Sequence, residues 1–249
     1  VETPEGLARI AKDVATLHAW GAKVVLIHGG GAQITKALET AGLAARFVRG
    51  LRVTDGPTLA IAETVLTRVG KDVAHAVSRA GVPALALTGR DAGLLTGAIK
   101  DPELGFVGSV SAVNGEVVRF LSFNGFVPVI APIALTPEGQ ALNVNADEVA
   151  TAMASALAAK ALVLMTDVDA VKGVDGQPIS ELPAPEARRL VEINAASGGM
   201  IPKLESALAA LEGGVKHVNI VNGNTPGILL AVAQGETKGT RVTPGASLQ

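Results

Sequence analysis

The sequence predicts an α/β protein, a three-layer α/β/α sandwich with a mostly parallel central sheet, on the basis of three observations. Short runs of aliphatic and β-branched residues alternate with longer segments of helical spacing. This alternation implies right-handed crossovers between parallel strands. Apolar residues make up 48% of the chain but aromatic residues only 2%, which suits small side chains packed between helices and a sheet.

Five segments are predicted to be buried strands, and six are predicted to be helices. The predicted strands are residues 23–27, 84–88, 127–131, 161–166 and 217–221. The predicted helices are residues 5–20, 32–41, 57–80, 147–158, 184–192 and 203–212. Ligands of such a sheet bind at the carboxyl ends of the strands, so the loops after residues 27, 88, 131 and 166 are the places to look for a site.

Residues 90–118 break the alternation of strands and helices. Polar and apolar residues alternate here over short runs, a pattern typical of antiparallel strands. Asn114-Gly115 lies between two such runs, residues 110–113 and 116–118, and predicts a two-residue hairpin turn. A soft boundary near residues 159–160 predicts two lobes, residues 1–160 and residues 161–249.

Charge and composition limit the possible partners. The formal net charge is −2, with acidic and basic residues mixed along the 249-residue chain, so we expect no nucleic acid and no anionic membrane as a partner. Cysteine is absent, which excludes disulfides and thiolate metal sites. The opening residues show neither an export signal nor an apolar span of about 18 residues. We therefore expect a cytoplasmic protein with a small-molecule partner.

The motif His28-Gly29-Gly30-Gly31 follows a predicted strand and precedes a predicted helix. Bare backbone amides at the amino terminus of a helix can hold an anion. A tight turn that needs glycine only for its conformation is an equally good interpretation of this motif alone. His28 itself is expected to be structural. Neither a dinucleotide fingerprint nor a complete phosphate-binding P-loop is present.

Two further motifs combine polar residues with a helix start. Arg52 lies in Gly-Leu-Arg-Val-Thr-Asp, where a packed guanidinium could grip a carboxylate; an ordinary solvated arginine is the alternative. Asn143, Asn145 and Asp147 alternate just before a helix and could point into a site, although one of them could simply cap the helix. The turn from Thr88 to Asp91 is similar, and a capped turn explains it at least as well.

The carboxyl-terminal half carries two more candidate segments. The loop of residues 166–173 follows an apolar strand and supplies acidic and backbone groups, although this pattern alone is unspecific. Lys203 follows a glycine pair and stands at the start of a helix. A cation at that end opposes the helix dipole, which indicates an anionic partner such as phosphate.

In this order, HGGG, GLRVTD, TGRDAGLL, LGFVGSV, PVIAPIAL, LNVNAD, MTDVDAVKG and GGMIPK resemble the motifs of the amino acid kinase family. Within it they resemble the branch that phosphorylates N-acetyl-L-glutamate in arginine biosynthesis, with GLRVTD, NVNAD and GGMIPK as the most specific motifs. The resemblance runs from about residue 23 to residue 241. It implies a carbamate kinase-like fold, ATP and Mg2+ as cofactors, and a homodimer or a larger homo-oligomer. It also implies that the amino-terminal lobe binds acetylglutamate and forms the dimer, and that the carboxyl-terminal lobe binds ATP.

The resemblance also implies roles for individual residues, carried over motif by motif. Gly30 and Gly31 would bind the substrate and the transferring phosphoryl group, Arg52 and Asn143 would bind the substrate, and Asp147 would orient the catalytic lysines. Lys203 would neutralise the charge on the phosphoryl group. No protein residue is expected to be a dedicated metal ligand. The residues implied to bind ATP are Thr166, Asp167, Val168, Val171, Lys172, Gly173, Ala195, Ala196, Ser197, Gly199, Met200 and Lys203.

One departure from the family pattern would heavily impair activity in the sequence as given, namely a missing lysine before the first glycine motif. Members open with a strand of the form K-x-G-G, and no such lysine precedes His28. We expect that the sequence begins downstream of this strand; a degenerate family member is the alternative. Two other functions stay open, namely a kinase whose glutamate or aminoadipate substrate is linked to a carrier protein, and a catalytically silent ligand-binding homologue.

Overall fold

The computed structural model describes residues 3–194 and 200–245, which form eight α-helices and thirteen β-strands. The helices are α1 (Pro4–Ala19), α2 (Gly31–Thr40), α3 (Gly56–Arg79), α4 (Glu116–Phe123), α5 (Ala146–Ala156), α6 (Ala184–Glu192), α7 (Met200–Glu212) and α8 (Ile228–Ala233). The strands are β1 (Leu26–Ile27), β2 (Phe47–Val48), β3 (Leu51–Arg52), β4 (Ala84–Thr88), β5 (Leu95–Ile99), β6 (Val107–Val113), β7 (Val127–Ala131), β8 (Ile133–Leu135), β9 (Ala141–Val144), β10 (Ala161–Thr166), β11 (Glu181–Pro183), β12 (His217–Asn222) and β13 (Thr240–Thr243).

The chain divides into two compact units. The N-terminal unit is Lys23–Val149, and the C-terminal unit is Val1–Ala22 together with Ala150–Gln249. We expected a boundary near residues 159–160, whereas the units divide inside α5. Two side-chain contacts show why, since the Thr151 hydroxyl donates to the Ser206 carbonyl and Asp13 accepts from the Leu229 N–H. The start of the chain and most of α5 therefore belong with the C-terminal residues.

A three-stranded parallel sheet forms the core of the N-terminal unit, in the order β1-β7-β4. The central strand β7 is buried throughout, while Leu85 on the edge strand β4 is 40% exposed. Helix α3 packs against β4 and β7, α2 packs against α3, and α4 packs against β7. Ile34 and Leu38 of α2 join Leu66 of α3 in the apolar core. The carboxyl ends of β1 and β7 lead directly into the site described below.

Strands β5, β6, β9 and β8 form a small closed barrel in the same unit. Strand β5 pairs antiparallel with β6, which confirms the predicted antiparallel segment. The predicted turn at Asn114-Gly115 is wrong, because residues 116–123 are helix α4. A type I′ turn needs positive φ at both central residues, whereas Gly115 has φ −74°. The Asn114 side chain instead donates to the Ala92 carbonyl and accepts from the Glu116 N–H, so it stabilises the start of α4.

The C-terminal unit contains a four-stranded sheet in the order β10-β12-β13-β11. Strand β10 pairs in parallel with β12, and β13 joins β12 as an antiparallel neighbour. Helix α7 packs on this sheet, α6 packs on α7, and α1 packs against α8. Asp13 of α1 is buried beside α8, and this burial raises the pKa of its carboxyl. Parallel strands covered on both sides by helices confirm the predicted α/β sandwich.

Candidate functional site

The glycine turn after β1 forms the amino terminus of α2. Gly30 is the residue before the helix, and its backbone is extended with φ −178°. The first helical bond runs from the Ile34 N–H to the Gly30 carbonyl at 2.8 Å, and no side chain caps this helix end. The N–H groups of the first turn therefore have no acceptor inside the helix. Together with the helix dipole, such N–H groups can hold an anion, so the anion site weighed for this motif stays a prediction.

The same turn lies beside the start of α5. A Cβ atom added at Gly29 would lie 3.9 Å from the Ala146 Cβ, which is in ordinary van der Waals contact. The amino termini of α2 and α5 thus meet within the N-terminal unit. Two positive dipole ends at one place strengthen the attraction for an anion.

Gly30 and Gly31 differ in the space around them, and this difference gives a matched test. A Cβ at Gly30 would lie 2.9 Å from Cδ2 of the buried Leu66, whereas a Cβ at Gly31 would have nothing within 4 Å. We expect Gly30→Ala to destabilise the protein by about 1 to 3 kcal/mol, the usual cost of overpacking. Gly31→Ala should leave stability within about 0.5 kcal/mol of wild type.

Urea unfolding followed by circular dichroism measures both variants. Because the fold tolerates Gly31→Ala, any loss of anion binding in that variant reports the space that a ligand needs beside the amide. Equal stability of the two variants would contradict the packing described at Gly30.

His28 is the polar residue closest in sequence to the glycines. Its Nδ1–H donates to the Gly29 carbonyl at 2.9 Å, and its Nε2 is buried with no hydrogen-bond partner in residues 3–194 and 200–245. Burial lowers the pKa of His28, so the imidazole is neutral near pH 7. A Cβ at Gly70 of α3 would lie only 3.0 Å from Nε2, so α3 packs closely on the ring. These contacts are compatible with a structural role for His28, which stays a prediction.

Arg52 lies at the end of β3 and is only 8% exposed. Its Nη2 donates to the Gly31 carbonyl at 2.8 Å and to the Thr35 hydroxyl at 2.9 Å. The Phe47 ring stacks on the guanidinium, with its centroid 4.7 Å from Cζ. Nη1 is buried and has no partner among the described residues. A fixed, buried cation with one uncommitted donor group is well suited to a carboxylate.

The three polar residues before α5 have separate roles. Asn145 caps the helix, since its Oδ1 accepts from the N–H groups of Asp147 and Glu148 at 2.8 and 3.2 Å. Asn143 on β9 instead donates through Nδ2 to the Thr54 hydroxyl at 3.2 Å. Asp147 lies in the first turn of α5 and is half-buried. One cap therefore explains only Asn145, and Asn143 and Asp147 remain candidates for function.

Glu148 makes contacts next to the candidate site that the sequence analysis did not predict. Its carboxylate accepts from the Val110 N–H at 2.9 Å and from Lys100 Nζ at 2.8 Å. Strand β9 pairs with β6 only as far as Gly108, so Glu148 provides an acceptor just beyond the end of β9. A glutamate three residues after a cap usually turns back to the cap residue. Here it joins the start of α5 to the barrel and so holds Asp147 in place.

The turn from Thr88 to Asp91 is stabilised by hydrogen bonds of its own side chains, as expected for a capped turn. The Asp91 carboxylate accepts from the Thr88 N–H at 2.6 Å and from the Thr88 hydroxyl at 3.0 Å. Glycine is required at position 89, because a Cβ there would lie 2.0 Å from the Ile133 carbonyl oxygen. Arg90 pairs with Glu63 of α3 beside a cavity of about 310 Å³. The turn thus ties β4 to α3 and β8.

In the C-terminal unit, the loop after β10 is held by hydrogen bonds to residues of β12 and β13, two other strands of the same sheet. Asn222, at the end of β12, donates to Asp169 at 2.7 Å, and Gly223 N–H donates to the Thr166 carbonyl. Val171 is buried, and its N–H donates to the Thr240 hydroxyl of β13 at 2.9 Å. Asp167, Val168 and Lys172 are exposed, and Gly173 N–H closes a turn with Gln177. The exposed part of the loop stands at the carboxyl edge of parallel strands.

Lys203 lies in the first turn of α7 and is half-buried, as the sequence predicts for a lysine at a helix start. Met200, four percent exposed, points into the core and could offer a ligand little beyond its backbone. The remaining residues implied to bind ATP lie outside the described residues; they are Ala195, Ala196, Ser197 and Gly199.

Residues 3–194 and 200–245 contain no group of three or more histidine, aspartate or glutamate side chains that could hold a metal ion. Over the same ranges, no helix combines the length and the apolar character needed to cross a bilayer.

A parallel α/β fold with an uncapped helix start beside a buried arginine is an arrangement suited to anionic small molecules, as in the class of small-molecule kinases. Comparison with known proteins makes the class specific. The model of the amino acid kinase family matches residues 1–222. This chain belongs to the amino acid kinase family.

Three similar proteins illustrate the relationship. The acetylglutamate kinase of Ruegeria sp. (strain TM1040) is 41% identical over 227 residues, which cover 91% of this chain and 79% of that protein. The crystal structure of smu.665 from Streptococcus mutans UA159 superimposes with a TM-score of 0.83 at 29% identity, covering 98% of this chain and 94% of the other. The carbamate kinase of Giardia lamblia, bound to AMP-PNP, has a TM-score of 0.72 at 18% identity and covers 95% and 89%; it shows the shared fold.

Proposed function

We propose that this chain catalyses the ATP-dependent phosphorylation of N-acetyl-L-glutamate to N-acetyl-L-glutamate 5-phosphate, a step of arginine biosynthesis. Its similarity to acetylglutamate kinases extends over most of the chain. The observation that carries the proposal is the buried guanidinium of Arg52, whose Nη1 has no partner in the described part of the chain and lies beside the uncapped amino terminus of α2. A dicarboxylate substrate needs a fixed cation for the carboxylate that does not react and a separate anion site for the one that does.

The reaction asks the protein for positioning and charge stabilisation rather than for a covalent nucleophile. The substrate's side-chain carboxylate is already ionised near pH 7, so no general base is needed. Its oxygen forms a bond to the γ-phosphorus of ATP, the bond from that phosphorus to the bridging oxygen breaks, and ADP leaves. In this scheme the amides of Gly30 and Gly31 face the transferring phosphoryl group, Arg52 and Asn143 hold the substrate, Asp147 orients lysines, and Lys203 balances developing negative charge.

The loop after β10 fits a nucleotide. Asp167, Val168 and Lys172 are exposed at the carboxyl ends of parallel strands, and the Asn222 to Asp169 bond shapes the loop. We propose that Thr166, Val171 and Gly173 complete the ATP site together with Met200 and Lys203. Mg2+, when bound with ATP, neutralises phosphate charge, and phosphate oxygens can supply most of its ligands.

The lobes, the assembly and the location of the protein are also proposed from the family resemblance. The amino-terminal lobe is proposed to bind the small-molecule substrate and to form the homodimer, which we take as the smallest assembly. The carboxyl-terminal lobe is proposed to bind ATP. With ATP as the donor, we expect the enzyme to act in the cytoplasm.

The decisive experiment measures acyl phosphate formation by the product of the complete reading frame. The protein is incubated with ATP, Mg2+ and N-acetyl-L-glutamate, and hydroxylamine traps the acyl phosphate as a hydroxamate. We expect hydroxamate only when all three small molecules are present, and none with free L-glutamate as the acceptor. Transfer only to a glutamate or aminoadipate carried on a protein would show the carrier-linked reaction instead. Binding of acetylglutamate and ATP by calorimetry without any transfer would show a silent homologue.

A further inference from the structure

Thr54 connects Arg52 and Asn143, two of the residues proposed to bind the substrate, through the backbone carbonyl of the first and the side chain of the second. It follows β3, and its side chain is fully buried. Its hydroxyl oxygen lies 2.8 Å from the Arg52 carbonyl oxygen and 3.2 Å from Asn143 Nδ2. Arg52 and Asn143 are therefore joined through one buried hydroxyl.

The backbone around Thr54 holds this hydroxyl in place. Thr54 N–H donates to the Leu104 carbonyl at 2.9 Å, and Phe106 N–H donates to the Thr54 carbonyl at 2.7 Å. Asn143 N–H in turn donates to the Phe106 carbonyl at 2.9 Å. Gly105, with φ +68°, makes this approach possible, because a Cβ there would lie 2.4 Å from the Thr54 carbonyl oxygen. These backbone bonds and the Gly105 approach thus fix the positions of Thr54 and Asn143 relative to each other.

The hydrogen of the hydroxyl has only one possible direction. Two oxygens 2.8 Å apart need a hydrogen between them, and a carbonyl cannot supply it. The Thr54 hydroxyl therefore donates to the Arg52 carbonyl, and its oxygen can only accept from Asn143. Asn143 must turn Nδ2 toward Thr54. Its Oδ1, which has no donor among the described residues, is then directed to the other side of the amide.

We propose that Thr54 is a positioning residue that locks the Asn143 amide so that Oδ1 accepts a hydrogen bond from the substrate. The inference rests on the proposed function, in which Asn143 contacts N-acetylglutamate. The secondary amide of that substrate carries an N–H donor, whereas an ester or ether at the same position presents only acceptors. With Asn143 held this way, the site favours acylated amines over their ester or ether analogues. An ester oxygen could accept a hydrogen bond only if the Asn143 amide were reversed and presented its NH2 group, and Thr54 opposes that reversal.

The test compares N-acetyl-L-glutamate with 2-acetoxyglutarate, in which an ester oxygen replaces the N–H. For the wild type, kcat/KM should favour the amide by about 100-fold, since a site built to pair with a donor rejects an analogue that lacks it. Thr54→Val removes the hydroxyl and should reduce this preference to less than about tenfold, because the side-chain amide of Asn143 can then rotate by about 180°. Thr54→Ser keeps the hydroxyl and should retain the preference within about threefold. Thr64→Val is the control, because that exposed hydroxyl donates to the Ala60 carbonyl within α3, away from Arg52 and Asn143 in the hydrogen bonds of the described residues.

The ratio of kcat/KM for the two substrates separates a positioning role from general damage to the fold, because general damage would lower both kcat/KM values together. If Thr54→Val does not fold, as judged by circular dichroism, Thr54→Ala removes the hydroxyl without adding a methyl group beside the carbonyl. Calorimetry with both ligands, in the absence of ATP, gives the same ratio from binding.

An amide preference in binding without phosphoryl transfer would overturn the proposed function and leave the role of Thr54 standing. Transfer with no amide preference, or with a preference that Thr54→Val and Thr54→Ala leave unchanged, would overturn the role of Thr54 alone. No binding of either ligand by the wild type would overturn both.

Discussion

Replacing Lys203 by methionine is expected to lower kcat for acyl phosphate formation by about 10³-fold, which is the upper range for removing one electrostatic donor from a transition state. Negative charge spreads over the oxygens of the transferring phosphoryl group, and a cation that meets this charge only in the transition state contributes to kcat rather than to ground-state binding. KM for N-acetylglutamate should therefore change by less than about threefold. The measurement is steady-state kinetics with both substrates varied.

Stability separates this effect from unfolding. Lys203 lies in the first turn of α7, where a cation opposes the helix dipole by about 0.3 to 1 kcal/mol, so a neutral residue should not weaken the helix. Lys216→Met is the matched control, because Lys216 is exposed in the same unit just before β12. A Lys203→Met enzyme that keeps more than about a tenth of the wild-type kcat would rule out the assigned role.

Arg52→Lys is expected to lower kcat/KM for N-acetylglutamate by about 10² to 10³-fold, mainly through KM. Lysine keeps the positive charge but loses the planar fork that bonds Gly31 and Thr35 through Nη2 while leaving Nη1 for a carboxylate. It also loses the stacking on Phe47. Each hydrogen bond to a charged group contributes about 1.5 to 3 kcal/mol, so one lost carboxylate contact accounts for most of the change.

The control for this substitution is Arg68→Lys, where an exposed arginine pairs with Asp72 one turn away on α3. That variant should match the wild type in kcat and in KM. Isothermal titration of N-acetylglutamate gives the binding change independently of turnover. An Arg52→Lys protein with unchanged affinity would show that Arg52 only stabilises the β2–β3 hairpin against α2.

The helices and strands could be predicted from local patterns wherever a strand buries one face or a helix buries one apolar stripe. Strands β4, β7 and β10 have the predicted bounds, and α1, α2 and α3 begin and end within one residue of them. The failures have a common cause. Residues 116–118 were assigned to a strand because Asn-Gly favours a hairpin, but Gly115 takes a helical conformation when the Asn114 side chain bonds to Ala92. That partner lies 22 residues away, so no local pattern reports it.

The residues of the candidate site also fall into those that local sequence could identify and those that only distant contacts reveal. Glycine turns, the arginine of GLRVTD and the polar residues before α5 could be identified from residue type and position. Thr35, Thr54 and Glu148 could not, because each has an ordinary local role available as a helix-surface or capping residue. Their actual partners lie 17, 89 and 38 residues away in the chain, in the contacts Thr35 to Arg52, Thr54 to Asn143 and Glu148 to Val110.

The amino-acid sequence by itself determined the α/β class, most of the regular elements and the residue types able to hold an anion, because periodicity and backbone preference act over a few neighbouring residues. Only the tertiary structure decided that Arg52 keeps one donor group uncommitted, that Asn145 rather than Asn143 is the helix cap, and which way the Asn143 amide faces. These properties depend on which hydrogen-bond partners the fold brings together, and a buried donor or acceptor is defined by its surroundings rather than by its neighbours in the chain.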